Sequence, residues 1–135
     1  MSKSPFEILQ PQHWTTPRGY ANGIVAQGRQ VFIAGQVGWN AQAQFETDDF
    51  VAQVEQALSN IVDVLRAAGG EPHHLVRLNW YVTDKAEYVA RQREIGEVYR
   101  RRIGLHFPAM TLLVVAGLLE PRAKVEIEGT AVIGD

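Results

Sequence analysis

The sequence predicts a two-layer α+β domain, ordered β-β-α-β-α-β-β, with two helices covering one face of a mixed sheet. Three observations carry that prediction. From Phe50 to Ala68, apolar side chains recur at helical spacing; from Leu75 to Val82, they alternate with polar ones at strand spacing. The C-terminal third holds two more aliphatic runs, Thr111 to Ala116 and Ala123 to Ile133, read as a hairpin around Gly117 to Arg122. Pro121 in that connection cannot donate to a ladder and so belongs in the turn.

Element by element, Gly23 to Gln27 and Val31 to Val37 are rich in β-branched residues and flank the turn Gly28-Arg29-Gln30, which predicts a first β-hairpin. Asn40 to Gln44 follows as a polar loop. In the first helix Phe50, Val54, Ala57, Leu58, Ile61, Leu65 and Ala68 form the apolar stripe, leaving Gln53, Gln56, Asn60 and Asp63 on other faces. Thr47-Asp48-Asp49 precedes it as a cap, and Gly69-Gly70 with Pro72 ends it. Val76, Leu78, Trp80 and Val82 then share one side of a strand, with Arg77, Asn79 and Tyr81 on the other. Asp84 and Glu87 have capping-box spacing for a second helix, carrying Tyr88, Ile95, Tyr99 and Ile103 and terminated by Gly104.

At 135 residues, the chain has the length of one domain spanning 1–135, and its 46% hydrophobic content supports one substantial core. No apolar run approaches the roughly 18 residues of a membrane span, and Met1-Ser2-Lys3-Ser4-Pro5 lacks the apolar stretch of a secretion signal. The absence of cysteine excludes a disulfide framework, a thiolate metal site and a thiol nucleophile, and a cytoplasmic setting is expected. A formal net charge of -2 provides no field for phosphate backbones, so nucleic acid is not an expected partner. The basic run Arg100-Arg101-Arg102 falls at a helix end, where cations complement the dipole. With helices on one side only, the aliphatic residues of the last two strands require cover on the other, which predicts a homo-oligomer closed by symmetry.

Several segments together resemble the RidA/YjgF family: Gly19-Tyr20, Phe32-Ile33-Ala34-Gly35-Gln36-Val37, Gln53 to Leu65 with Ala67-Ala68-Gly69, Phe107-Pro108-Ala109 and Val125-Glu126-Ile127-Glu128. The resemblance runs from about Arg18 to Ile133. It implies a chorismate-mutase-like fold and a homotrimer whose sheets form a central β-barrel, with ligand clefts between subunits. In the deaminating branch of that family, an arginine after the proline-alanine pair clamps the substrate carboxylate, and a glutamate on the last strand holds the attacking water. Here Glu126 occupies the glutamate position, Met110 the arginine position, and Ala34 a position where many members carry serine.

A thioether has no charge and cannot replace a guanidinium clamp. Each lost charge-assisted hydrogen bond is worth about 1.5 to 3 kcal/mol. The resemblance therefore implies a more apolar small-molecule site that disfavours small imino acids unless Arg18, Arg93 or Arg100 supplies an anion anchor from another direction. Glu126 is the candidate catalytic residue, although a solvated polar strand face would show the same alternation of Lys124, Glu126, Glu128 and Thr130. Tyr20, Ala34, Gly35, Trp39 and Met110 are the candidate ligand-binding residues.

His73 and His74 are sequence neighbours whose side chains diverge on an extended chain, so no metal is assigned, and no phosphate loop, nucleophile elbow or dinucleotide fingerprint implies a cofactor. These observations support a hydrolase acting on imines or enamines first, a non-catalytic metabolite-binding module second, and a ribonuclease least.

Overall fold

The computed structural model describes residues 6–134. The first helix, α1 (Phe50–Ala67), forms as its local signals predict. Asp49 caps it by accepting from the Ala52 amide at 2.9 Å. At the other end Gly70 N–H donates to Leu65 O at 3.0 Å and Gly69 N–H to Arg66 O at 2.9 Å, while Gly69 adopts φ +81°, completing a Schellman motif that only glycine enters without strain. Val54, Leu58, Ile61 and Leu65 are fully buried, and α1 packs on both the sheet and the last helix.

The strands exist where expected but pair differently. A ribbon of β1 (Phe6–Leu9) and β2 (Gly23–Ala26) stands apart from a four-stranded sheet containing β3 (Arg29–Val37), β4 (Leu75–Val82), β5 (Ala109–Val114) and β6 (Val125–Ile133). The expected hairpin between Gly23 to Gln27 and Val31 to Val37 is therefore not formed: β2 pairs with β1, and β3 lies antiparallel to β6. Gly28, at φ +151°, presses so closely on the Ile133 carbonyl that no side chain fits, and the chain changes sheets there. β1 itself was not expected from the sequence.

The expected C-terminal hairpin is also corrected. The sheet order is β3-β6-β4-β5, so β4 separates the last two strands; it runs parallel to β5 and antiparallel to β6. A parallel neighbour requires a long crossover, and the helical segment between β4 and β5 supplies it. That segment is two helices rather than one, α2 (Lys85–Ala90) and α3 (Gln92–Arg102). The break is Arg91, at φ -111° and ψ 15°, held by ion pairs to Glu94 at 2.7 Å and to Asp49 of the α1 cap at 3.5 Å. No helix among the described residues is long and apolar enough to cross a membrane.

Two further corrections concern which faces are covered. Gln53, read as part of a polar helix face, is fully buried. Its Nε2 donates to Thr47 O and Arg122 O, both at 3.1 Å, and its Oε1 accepts from Lys124 N at 2.9 Å, joining the start of α1 to the entrance of β6. Gln53→Leu leaves these backbone groups without partners, and the expected cost is about 2 to 4 kcal/mol in a denaturant titration.

The uncovered sheet face is not mainly aliphatic. Val125, Ile127 and Ala131 are fully buried beneath the helices, while Glu126, Glu128 and Thr130 alternate onto the other side. The large apolar groups there lie on the outer strands, with Phe32 74% and Leu113 50% exposed.

Candidate functional site

Strand parity creates two concavities on opposite faces of the sheet. On the helix side, a cleft of about 520 Å³ lies between β5, α2, α3 and the loop at Gly19 and Tyr20. Met110 enters it because it pairs with core-facing Leu78 of β4. Gly19 is at φ +79°, and Ala21 N–H donates to Pro108 O at 3.0 Å, fixing the Tyr20 loop beside the start of β5.

One wall is aromatic. Trp80 of β4 stacks on Tyr99 of α3 at 6.4 Å between ring centroids, and Tyr99 stacks on Phe107 at 5.3 Å. The Tyr99 hydroxyl donates to His106 O at 2.6 Å, and burial pushes its pKa well above the ordinary phenol range, so it remains a protonated donor. Helix α3 contributes Gln92, Ile95, Gly96, Tyr99 and Arg100, which share one helical face.

The three consecutive arginines have different environments. Arg101 and Arg102 both bond Glu55 of α1, at 2.6 and 2.9 Å, so the run does more than complement a helix end. Burial pushes the Glu55 pKa up, but hydrogen bonds from Arg101 and Arg102 outweigh it and hold the carboxyl below its ordinary value of 4.5. A depressed folded-state pKa stabilises the fold above the unfolded value, and that contribution is lost as pH falls through the folded one. Thermal stability is thus expected to drop below about pH 4.5, with a shallower drop in Glu55→Gln.

On the uncovered face, a second concavity of about 440 Å³ is bordered by Phe32 and Ala34 of β3, Asn79 of β4, and Glu128 and Thr130 of β6. Glu128 accepts from Tyr81 Oη at 2.5 Å and from Asn79 Nδ2 at 3.3 Å. The same Tyr81–Glu128 bond raises the pKa of the phenol. Glu126, one step along the face, pairs in register with Tyr81 on β4 and Val37 on β3. It is half-buried and makes no hydrogen bond or ion pair among the described residues.

Gly35 lies in the bulge where the β3–β6 register shifts between Ile33 and Gln36. A side chain there would overlap Glu126 Oε2, so this glycine creates the carboxylate's seat.

The sequence-derived residues therefore divide. Tyr20 and Met110 share the helix-side cleft, whereas Ala34, Gly35 and Glu126 stand on the opposite face. Trp39 lines neither concavity; its ring packs on Phe45 at 5.8 Å, and its carbonyl accepts from Asn60 at 2.9 Å. Among the three cations considered as replacement anchors, Arg100 lines the cleft, while Arg93 pairs with Glu97 at 3.8 Å on the surface and Arg18 lies outside the lining. Trp80, Tyr88 and Gln92 were not singled out from sequence. Helical spacing from Gln92 to Arg100 is the available signal, and Ile95 and Tyr99 serve both the core stripe that the spacing predicts and the cleft wall.

Comparison with known proteins gives the relationship. Residues 12–133 match the profile of the family described as "Endoribonuclease L-PSP". The chain is 33% identical over 117 residues to a 2-iminobutanoate/2-iminopropanoate deaminase from Capra hircus, covering 85% of this chain and 80% of that protein. YyfB of the conserved Rid protein family from Yersinia pestis superposes with a TM-score of 0.86 at 31% identity, covering 96% of this chain and all of that one. TdcF of E. coli, solved with bound serine, gives a TM-score of 0.67 at 26% identity over 95% of this chain and 99% of that one. The profile match, the named relative and the superposed Rid structure agree: this chain belongs to the RidA/YjgF family.

Proposed function

We propose that the chain is a hydrolytic deaminase of imines or enamines whose sites are completed between subunits of a homotrimer. The observation that carries this reading is the half-buried, unpaired Glu126 carboxylate seated in the space left by Gly35. Such a carboxylate can orient a water and accept its proton as the oxygen attacks a carbon–nitrogen double bond. Returning that proton to nitrogen gives a carbinolamine, and transfer of its hydroxyl proton to the amine, by the same carboxylate, breaks the carbon–nitrogen bond, releasing ammonia and leaving a carbonyl. The deaminase name of the Capra hircus relative and the serine bound by TdcF support a small-molecule nitrogen compound as ligand.

Opposed placement of the two groups supports the inter-subunit part. Within one protomer Met110 and Glu126 lie on opposite sides of the sheet, so a ligand cannot touch both. A neighbouring copy that brings its polar sheet face to the β5 edge places one subunit's Glu126 beside another's Tyr20 and Met110, and symmetry repeats that contact around the ring. Phe32 and Leu113 supply exposed apolar area for the same contact.

The test is ammonia release from a panel of 2-imino acids and larger enamines, comparing wild type with Glu126→Gln. Equal rates in the two proteins contradict the proposed role.

A further inference from the structure

We infer that the helix-side cleft is built for a carboxylate carried on an aromatic or extended apolar body, with Arg100 as its anion anchor. The inference rests on the reading of the Tyr20–Met110 cleft as the ligand site. It adds a specificity residue on α3 and a ligand class that differs from small imino acids.

Four observations converge. First, Arg101 and Arg102 are neutralised by Glu55, whereas Arg100 forms no ion pair or hydrogen bond among the described residues, and the cleft lining contains no acidic side chain. A lining cation without a counter-charge favours an anion, and a guanidinium fork matches a carboxylate bidentately. Second, Arg100 Nη1 lies only 3.5 Å from where a Gly96 side chain would begin, so the guanidinium folds back over α3 along the cleft. A glycine inside a helix is unfavourable for the helix itself, and a side chain here would stand in van der Waals contact with that charge at the cleft wall.

Third, Trp80 is only 5% exposed and lines the cleft, yet its Nε1–H has no hydrogen-bond partner. That nitrogen is sealed from solvent, so what Trp80 offers a ligand in the cleft is its apolar ring. Fourth, the volume of about 520 Å³ and the stacked rings of Trp80, Tyr99 and Phe107 provide far more apolar wall than a two- to four-carbon acid can cover. The ligand's carboxylate meets Arg100 and its ring or chain lies along that wall, over Met110. Methionine at this position extends the apolar floor rather than merely removing a clamp.

Calorimetric titration of the full-length oligomer with 3-phenylpropanoate, its neutral amide and propanoate tests the inference without requiring turnover. The expected result is 3-phenylpropanoate binding at least tenfold more tightly than either comparator. Arg100→Gln should abolish the preference of acid over amide without weakening the amide, while Arg101→Gln should retain it. Equal binding of acid and amide by wild type, no detectable binding of either, propanoate equal to 3-phenylpropanoate, or equal losses in the two arginine variants overturns the inference. Retained ammonia release in Glu126→Gln instead overturns the hydrolytic role and leaves Arg100's charge preference standing.

Discussion

Glu126→Gln is expected to reduce ammonia release by about 10²- to 10⁴-fold, the usual contribution of a positioned general base. Glutamine keeps the length and planar end of the side chain against Gly35 but cannot accept a proton from water at neutral pH. Because Glu126 forms no hydrogen bond or ion pair with the described residues, its loss should leave thermal stability and oligomeric state unchanged. That separation distinguishes catalysis from a structural role. Glu128→Gln provides the internal comparison: Glu128 is bonded to Tyr81 and Asn79, so its replacement should alter stability more than turnover. A rate equal to wild type for Glu126→Gln, or a larger rate loss for Glu128→Gln, reverses the assignment.

Met110→Arg is expected to lower KM for a small 2-imino acid by about tenfold or more, because one charge-assisted hydrogen bond to a carboxylate is worth about 1.5 to 3 kcal/mol. The effect should fall on KM rather than kcat, since the carboxylate, though bonded to the reacting carbon, keeps its charge throughout and interacts similarly in the ground and transition states. Met110 is half-buried at the start of β5 with its side chain in the cleft, so a longer flexible residue can extend toward the opening without disturbing the fully buried layer. The same substitution should weaken apolar ligands by placing a hydrated charge on their path. Unchanged KM for the small imino acid, with apolar binding intact, would show that position 110 does not face the ligand.

Particular residues show what could be read before the fold was known. Helix α1 was legible because its cap at Asp49, its stripe and its glycine stop each depend on partners only three to five residues away along the chain. Strand partners were not, because the turn at Gly28 and the segment after Val114 look locally like hairpin connections while the ladder assigns both β3 and β4 to distant β6. Gln53 looked like surface because its partners Arg122 and Lys124 are remote in sequence.

The site shows the same division. Family spacing picked out Tyr20, Gly35, Met110 and Glu126 as candidates, but it did not show that the sheet separates them. Nor does anything local distinguish Arg100 from Arg101 and Arg102; Glu55, on another helix, makes the distinction by pairing with the latter two. Likewise Glu126 and Glu128 occupy equivalent positions in the strand pattern, and only Tyr81 and Asn79 on β4 distinguish the bonded carboxylate from the unpaired one.

Subunit complementation tests the composite site most directly. Glu126→Gln and Met110→Glu each disable one half, the first by removing the base and the second by repelling an anionic ligand. Each alone should form an inactive oligomer with three times the 15.1 kDa chain mass in light scattering. Co-expressed at equal dosage, random assortment should leave both halves intact in about a quarter of the inter-subunit sites and restore activity in that proportion. Mixed oligomers that stay as inactive as their parents would place the whole site within one protomer and contradict the account.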